Sequence, residues 1–403
     1  MRVLVGAFGT RGDVQPLLVV SQALKARGHD VVLAVPPEAD SLARGMGLAP
    51  HLVGLNFEAV SKRIASGSMR DQLAVLSQLR GQVEVHFDAL ESLAHGVDLV
   101  LGASVFIAGT SLAERARVPY VYVALSPTML DSPDSAGPLL PWQGLPRWLN
   151  RLGWWVTHRV WNVATLGPLN RARKKLGLAP VKNVWRQVLG EHPLLATDPT
   201  LGPVPSGHPV PVSQPGALLL EDAGALSAET EAFLAAGPPP VYVGFGSMSD
   251  PHPERTTRRI VEAVKRAGVR AVVSRGWAGL GVDDAPRDVL HFAGPEPHSK
   301  LFPRCAAVVH HGGAGTTHAA ARAGVPQLVL PQVLDQFFWR RRTVELGVNP
   351  GHVPRYGSDP RGLAEALVRM TSDEALRSRA TALGRELVRD GVSRAVAMIE
   401  AMH

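Results

Sequence analysis

Two short stretches of this 403-residue chain hold the side chains best suited to chemistry. The first, Gly9-Thr10-Arg11-Gly12-Asp13-Val14-Gln15-Pro16, directly follows an apolar run ending at Phe8. Asp13 stands where a loop enters a helix. Its carboxylate can cap that helix, take a proton from a hydroxyl, or do both. The second is His310-His311-Gly312-Gly313-Ala314-Gly315-Thr316-Thr317, set between the apolar run Ala306–Val309 and a helical stretch stopped by Gly324 and Pro326. Its glycines leave backbone N–H groups unblocked at a helix N-terminus, where the dipole favours an anion. A phosphate-bearing ligand is the natural occupant. Asp335 and Gln336 lie just past the next apolar strand, Leu328-Val329-Leu330.

Three weaker signals accompany these. Small residues in Gly244-Phe245-Gly246-Ser247 let backbone approach a ligand, and Ser247 adds a hydroxyl and an amide. Trp277 in Ser274-Arg275-Gly276-Trp277 can wall an aromatic base, although packing is the commoner fate of a tryptophan. His298 in Pro297-His298-Ser299-Lys300-Leu301-Phe302 is a lone histidine, a type that is usually structural or exposed.

Several chemistries are excluded. Adjacent His310 and His311 point to opposite faces of a strand and cannot chelate one ion together, and Cys305 is the single cysteine, so no metal site is expected. The glycines Gly6, Gly9 and Gly12 miss the dinucleotide spacing, and Val35-Pro36-Pro37 replaces the acid a nicotinamide cofactor needs. No Walker loop is present. A net charge of +7 with only short basic clusters, such as Arg340-Arg341-Arg342, reads as solvated faces and gives no case for nucleic acid.

The elements that must position these residues alternate. The spacing predicts a strand over Arg2–Phe8, a helix over about 15–27, and strands over Val31–Val35, Asp98–Gly102 and Tyr120–Val123. A second series runs through Val241–Phe245, Arg270–Ser274, Val289–Phe292, Ala307–His310 and Gln327–Leu330, and a tail helix covers about 374–401. Short all-apolar strands between helices imply parallel sheets covered on both faces, hence two doubly wound α/β domains. Their boundaries are set at 1–205 and 206–380, with 381–403 a helix packing back on the first domain. The prolines from Pro199 to Pro215 resemble an interdomain linker. Ligands in such sheets bind beyond the carboxyl ends of the strands, so a cleft between the domains is the expected site.

Residues 131–216 hold six of the eight tryptophans. Across Leu149–Thr165, the residues Leu152, Trp155, Val156, Arg159, Val160 and Val163 fall at helical spacing. This stripe is a core helix, an apolar pocket or lid using Trp142, Trp148 and Trp155, or, with Arg147, Arg151, His158 and Arg159, a helix seated on a membrane surface. One cysteine fits a reducing compartment, no export signal opens the chain, and no apolar stretch approaches the ~18 residues of a membrane span. A cytoplasmic protein is expected, with peripheral membrane contact left open.

Taken together, G-T-R-G-D-V-Q-P, V-G-F-G-S-M, G-W, P-H-S-K-L-F and H-H-G-G-A-G-T-T, in this order, resemble the GT-B-fold nucleotide-sugar glycosyltransferases. That family holds the UDP-glycosyltransferases, the macrolide and glycopeptide glycosyltransferases and the sterol glucosyltransferases, and the pattern looks most like the sterol branch. The resemblance covers nearly the whole chain and implies two Rossmann-like domains facing a cleft. It implies an inverting, metal-independent hexosyltransferase that needs no cofactor. Such an enzyme moves a sugar from a UDP-sugar or dTDP-sugar to a bulky hydrophobic acceptor such as a sterol, polyketide or phenol. By position, Asp13 would be the general base. His311, with the amides of Gly313, Ala314, Gly315 and Thr316, would hold the diphosphate. Ser247, Thr10 and Gly12 would border the phosphates, Trp277 and His298 the nucleobase, and Asp335 and Gln336 the sugar hydroxyls. Ala319 stands where plant members carry a glutamate for the ribose, which leaves the nucleoside open between UDP and dTDP. The alternatives are a non-catalytic nucleotide-sugar-binding homologue and, less well matched, a Rossmann oxidoreductase.

Overall fold

The computed structural model describes residues 1–65, 69–221, 224–351, 353 and 360–402. The chain divides into two compact units, Met1–Leu219 with Val388–His403, and Leu220–Leu387. In the first unit the strands are β1 (Arg2–Phe8), β2 (Asp30–Val35), β3 (Pro50–Leu52), β4 (Leu99–Ser104), β5 (Tyr120–Ala124) and β6 (Leu194–Leu195). They form one sheet in the order β3-β2-β1-β4-β5-β6, and every neighbouring pair is parallel. In β1 the alternation decides the layers. Val3, Val5 and Ala7 enter a core with the helix Arg11–Ala26 and the last helix, whereas Leu4 and Phe8 enter a core with the helix Met69–Leu90. Both faces of the strand are therefore apolar, as a covered parallel sheet requires.

The second unit repeats the plan with β7 (Val241–Gly244), β8 (Ala271–Ser274), β9 (Leu290–Ala293), β10 (Ala307–His310) and β11 (Gln327–Val329). The order is β11-β10-β7-β8-β9, again all parallel. In each sheet the winding reverses direction between two central strands, β1 and β4 in the first and β7 and β10 in the second. The helices diverge there and leave a crevice at the carboxyl edge.

Three expectations are revised. The proline stretch 199–215 lies within the first unit: Leu195 N–H donates to Ser213 O at 2.8 Å, and Gln214 Nε2 donates to Thr197 O at 3.0 Å. The tail is two helices, Glu374–Glu386 in the second unit and Gly391–Glu400 in the first. The break falls at Leu387, whose backbone is extended (ψ 141°), and Gly391 opens the second helix where only a glycine fits, since a Cβ would fall 2.6 Å from Ala217 O. Strands β3 and β6 were not expected, because three and two residues carry too little periodicity to read.

Candidate active site

The first unit places Asp13 in the crevice between β1 and β4. The helix begins earlier than its apolar pattern suggests, at Arg11, so Thr10 is the cap and Asp13 lies one turn inside. The carboxylate accepts from Thr10 N–H at 2.8 Å and from Thr10 Oγ1 at 3.0 Å. It also accepts a short bond from Ser104 Oγ at the end of β4. Ser104 is held in a left-handed conformation, φ 52°, which a serine adopts only under constraint, and Tyr122 Oη donates to its carbonyl at 3.2 Å. Gly9 must be glycine, since a Cβ there would overlap the carboxyl of Asp13. Desolvation by burial raises the pKa of Asp13 above the usual carboxylate value, against the three hydrogen bonds that lower it. The result is a more basic carboxylate than a free Asp. Gly12 lies exposed in the same first helical turn.

The second unit places His311 in the crevice between β7 and β10. Two glycines close on its ring: a Cβ on Gly246 would fall 2.9 Å from Cε1, and one on Gly313 would fall 2.6 Å from Nε2. Gly246 has φ +58°, so a side chain there would also be strained. His311 Nδ1 is buried without a hydrogen-bond partner. Burial, with His310 and His298 nearby, pushes its pKa down to about 3, so the imidazole is neutral. His310 turns the other way, with Nε2 bonded to Gln327 Oε1 at 3.0 Å while its Nδ1 accepts from Gly312 N–H at 3.1 Å. The two rings lie 89° apart in plane, with centroids 6.4 Å apart. Gly313 caps the helix Ala314–Arg322, and the amides of Ala314, Gly315 and Thr316 form its first turn.

Around this centre, Ser247 sits in the turn after β7 and Trp277 in the turn after β8. These turns are joined, because Trp277 N–H donates to Gly246 O at 3.1 Å. His298 stacks on Phe302 at 4.2 Å and meets Tyr242 edge-on at 5.6 Å, a packed position with part of the ring open. Asp335 accepts from Trp339 Nε1 at 2.8 Å. Gln336 is buried, and its Oε1 accepts from Gln332 N–H at 2.7 Å and Val333 N–H at 3.1 Å. Its amide nitrogen points to Met248 Sδ at 3.3 Å, so Gln336 ties the loop before it to the turn after β7.

Trp142, Trp148 and Trp155 are 65%, 65% and 57% exposed. The apolar stripe of the helix Arg147–Trp161 is therefore not core. Asn150, Gly153, Trp154 and Thr157 face inward instead, and Trp154 and Trp161 both pack on Trp185. Cys305 is buried and its thiol is pushed up to about 12, so it is an inert core residue. Among the described residues no group of three metal-ligating side chains occurs, and no helix is long and apolar enough to cross a membrane. Ser104 was missed by sequence reasoning. Its signal was a hydroxyl at the carboxyl end of a strand whose position beside β1 only the sheet order reveals.

Residues 3–132 match the glycosyltransferase family 28 N-terminal domain, and residues 279–401 match the erythromycin biosynthesis protein CIII-like C-terminal domain. Two Amycolatopsis orientalis proteins, glycosyltransferase GtfE and vancomycin aglycone glucosyltransferase, are 36% and 35% identical to the chain. The alignments cover 100% and 98% of it and 97% and 98% of theirs. The chain belongs to the GT-B glycosyltransferase family. This glycosyltransferase is also 31% identical to the sterol 3-beta-glucosyltransferase UGT80B1 of Arabidopsis thaliana, over 98% of its own length and 67% of the plant protein's. The glycopeptide enzymes are the more similar of these relatives. The glycotransferase of kitacinnamycin has the same fold, with a TM-score of 0.74 at 20% identity over 100% of this chain and 98% of that one. Membership in a family whose named relatives are glycosyltransferases makes the chain a glycosyltransferase rather than a binding-only homologue or an oxidoreductase.

Proposed function

We propose that this glycosyltransferase moves a hexose from a UDP-sugar or dTDP-sugar to a hydroxyl of a bulky hydrophobic acceptor, with inversion at the anomeric carbon. The observation that carries the donor half is His311 Nδ1, buried and unpartnered between two glycines at a topological switch point. A neutral imidazole N–H and the first-turn amides of Gly313–Thr316 supply donors for a diphosphate. Ser247 would add a phosphate contact, Trp277 and His298 would flank the base, and Thr10 and Gly12 would border the phosphates. Asp335 would bond the sugar hydroxyls, in a loop that Gln336 holds in shape.

In the reaction, Asp13 takes the proton as the acceptor oxygen attacks the anomeric carbon. The new C–O bond forms while the bond to the diphosphate breaks, and the electron pair leaves with the diphosphate. Donors aimed at that oxygen stabilise the developing charge without invoking a metal or cofactor. The raised pKa makes Asp13 a better base than a free carboxylate at ~3.9, and its ionised form is held ready by Thr10 and Ser104.

The acceptor side follows from composition and exposure. Trp142, Trp148 and Trp155 offer apolar area to an aglycone, and vancomycin aglycone and sterols are named for the relatives. The same exposed stripe, with Arg151 and Arg159, supports peripheral contact of a cytoplasmic enzyme with anionic lipid. A donor-by-acceptor assay read by mass spectrometry tests the reading. The expected result is transfer from UDP-glucose or dTDP-glucose to at least one apolar alcohol or phenol, lost in Asp13→Ala. No transfer from any donor sinks it.

A further inference from the structure

A second group of polar side chains lies at the carboxyl edge of the first sheet, toward β3. Gln78, Gln82 and His86 recur every fourth residue on the helix Met69–Leu90, which puts them on one face. The polar atoms on that face are buried. His86 is 2% exposed, and neither of its ring nitrogens has a hydrogen-bond partner. The side-chain oxygens of Gln78 and Gln82 are buried and unpartnered as well.

The group has a focus. Gly54, just after β3, has φ +87°, and a Cβ on it would fall 2.7 Å from Gln82 Oε1 and 3.2 Å from His86 Nε2. Gln82 and His86 therefore converge beside one point of backbone. The His86 ring stacks on Phe8 at 4.0 Å. Phe8 in turn precedes Gly9, whose missing side chain leaves room for the Asp13 carboxyl. Phe8 thus joins this group, through its chain neighbour Gly9, to the turn that holds Asp13.

Unmet polar atoms in a core are costly, roughly 1–3 kcal/mol each, and folded proteins keep few of them without a reason. Four such atoms on one helix face, where leucine or valine would pack, point to a partner from outside the chain. We infer that Gln82 and His86 receive hydrogen-bond donors of the acceptor, hydroxyl or amide N–H groups other than the hydroxyl that Asp13 deprotonates. The inference rests on the acceptor half of the proposed function.

The chemistry of the group selects its ligand. A carboxamide oxygen can only accept, so the ligand must donate. Burial holds His86 at about 4, so its ring is neutral, with one nitrogen to donate and one to accept. An acceptor whose single hydroxyl is consumed at Asp13 would leave the group unpaired. A polyphenol, a polyhydroxylated polyketide or a peptide aglycone would fill it. Sites built to bond a polar group reject analogues that lack it.

Calorimetry on the whole protein with resveratrol and para-hydroxystilbene tests this, since the two share a skeleton and differ in their extra hydroxyls. The parent should bind resveratrol about tenfold more tightly, the size of one to two neutral hydrogen bonds. Gln82→Leu and His86→Phe should each collapse the ratio of the two dissociation constants toward one, while thermal midpoints hold or rise because an unmet polar group has gone. Equal binding of both probes by the parent, no binding of either, or an unaltered ratio in the variants overturns the inference. Transfer from UDP-glucose and dTDP-glucose is scored separately. Discriminating binding without any transfer would sink the proposed function and leave the pocket standing.

Discussion

Asp13 in the first unit and His311 in the second are both ionisable groups sunk at a switch point of a parallel sheet, and burial moves them in opposite directions. The carboxylate is pushed up and the imidazole down, so each is drawn toward its neutral form. The surroundings then diverge. Asp13 is gripped by Thr10 and Ser104, which favour its charge. His311 is enclosed by glycine backbone and keeps a nitrogen unpaired. On the proposed function, one unit is prepared to carry a charge of its own and the other to receive one from a ligand.

Replacing each group breaks the comparison most sharply. Asp13→Ala should lower kcat by roughly 10³, within the range of a lost general base, without lowering the thermal midpoint, because a desolvated carboxylate is removed. A fall in both would make Asp13 structural. His311→Ala should lower kcat/KM by roughly 10²–10³, as loss of one preorganised donor does, and His311→Gln should restore part of it in the same assay.

Acid should separate the units by the sign of their linkage. Histidines 86, 310 and 311 have folded pKa values near 4, 4 and 3, below the unfolded value of about 6.5. The unfolded chain binds more protons in that window, so stability is full above about 6.5 and is lost as pH falls toward 4. Removing this load from the first unit with His86→Phe should recover up to about 3 kcal/mol at pH 4, followed by denaturant titration of the near-ultraviolet signal. Asp13 runs the other way: its raised pKa favours folding at low pH and that share is lost as pH rises through it, whereas activity, if Asp13 is the base proposed above, should climb over the same interval. Ser104→Ala should give the smallest effect. Without its bond, which lowers the pKa of Asp13, the ascending limb of the kcat/KM profile should move to higher pH by a fraction of a unit, and an unmoved limb would detach Ser104 from the base.

What could be read from sequence followed how the chemistry is distributed along the chain. The proposed donor half is written contiguously: β10, the glycine turn and the helix after it supply His311 and its amides within a few residues, so spacing alone was enough to suggest an anion site. Asp13 was legible for the same reason. The surroundings of Asp13 and the Gln82–His86 group are assembled from separate elements: Phe8 ends β1, Ser104 ends β4, Gly54 follows β3, and Gln82 and His86 lie on the helix Met69–Leu90. Nothing in local periodicity says that β3 and β4 lie on either side of β1 and β2, so these residues had no visible relation to one another. The helix Arg147–Trp161 misled for a different reason. Its apolar stripe matched a core pattern, but the inward face is built from Asn150, Gly153, Trp154 and Thr157, and asparagine and glycine carry no such signal.

The last helix has a bearing on how the protein is made. Ala395, Val396 and Ile399 complete the core layer formed by Val3, Val5 and the helix Arg11–Ala26, yet they follow the entire second unit in the chain. During synthesis the first unit must therefore wait, with part of its apolar layer uncovered, until the ribosome has delivered all of the second. The order of birth and the order of completion are reversed. Nascent chains should remain prone to chaperone capture until that helix has emerged, and loss of the helix should be felt in the unit that was translated first.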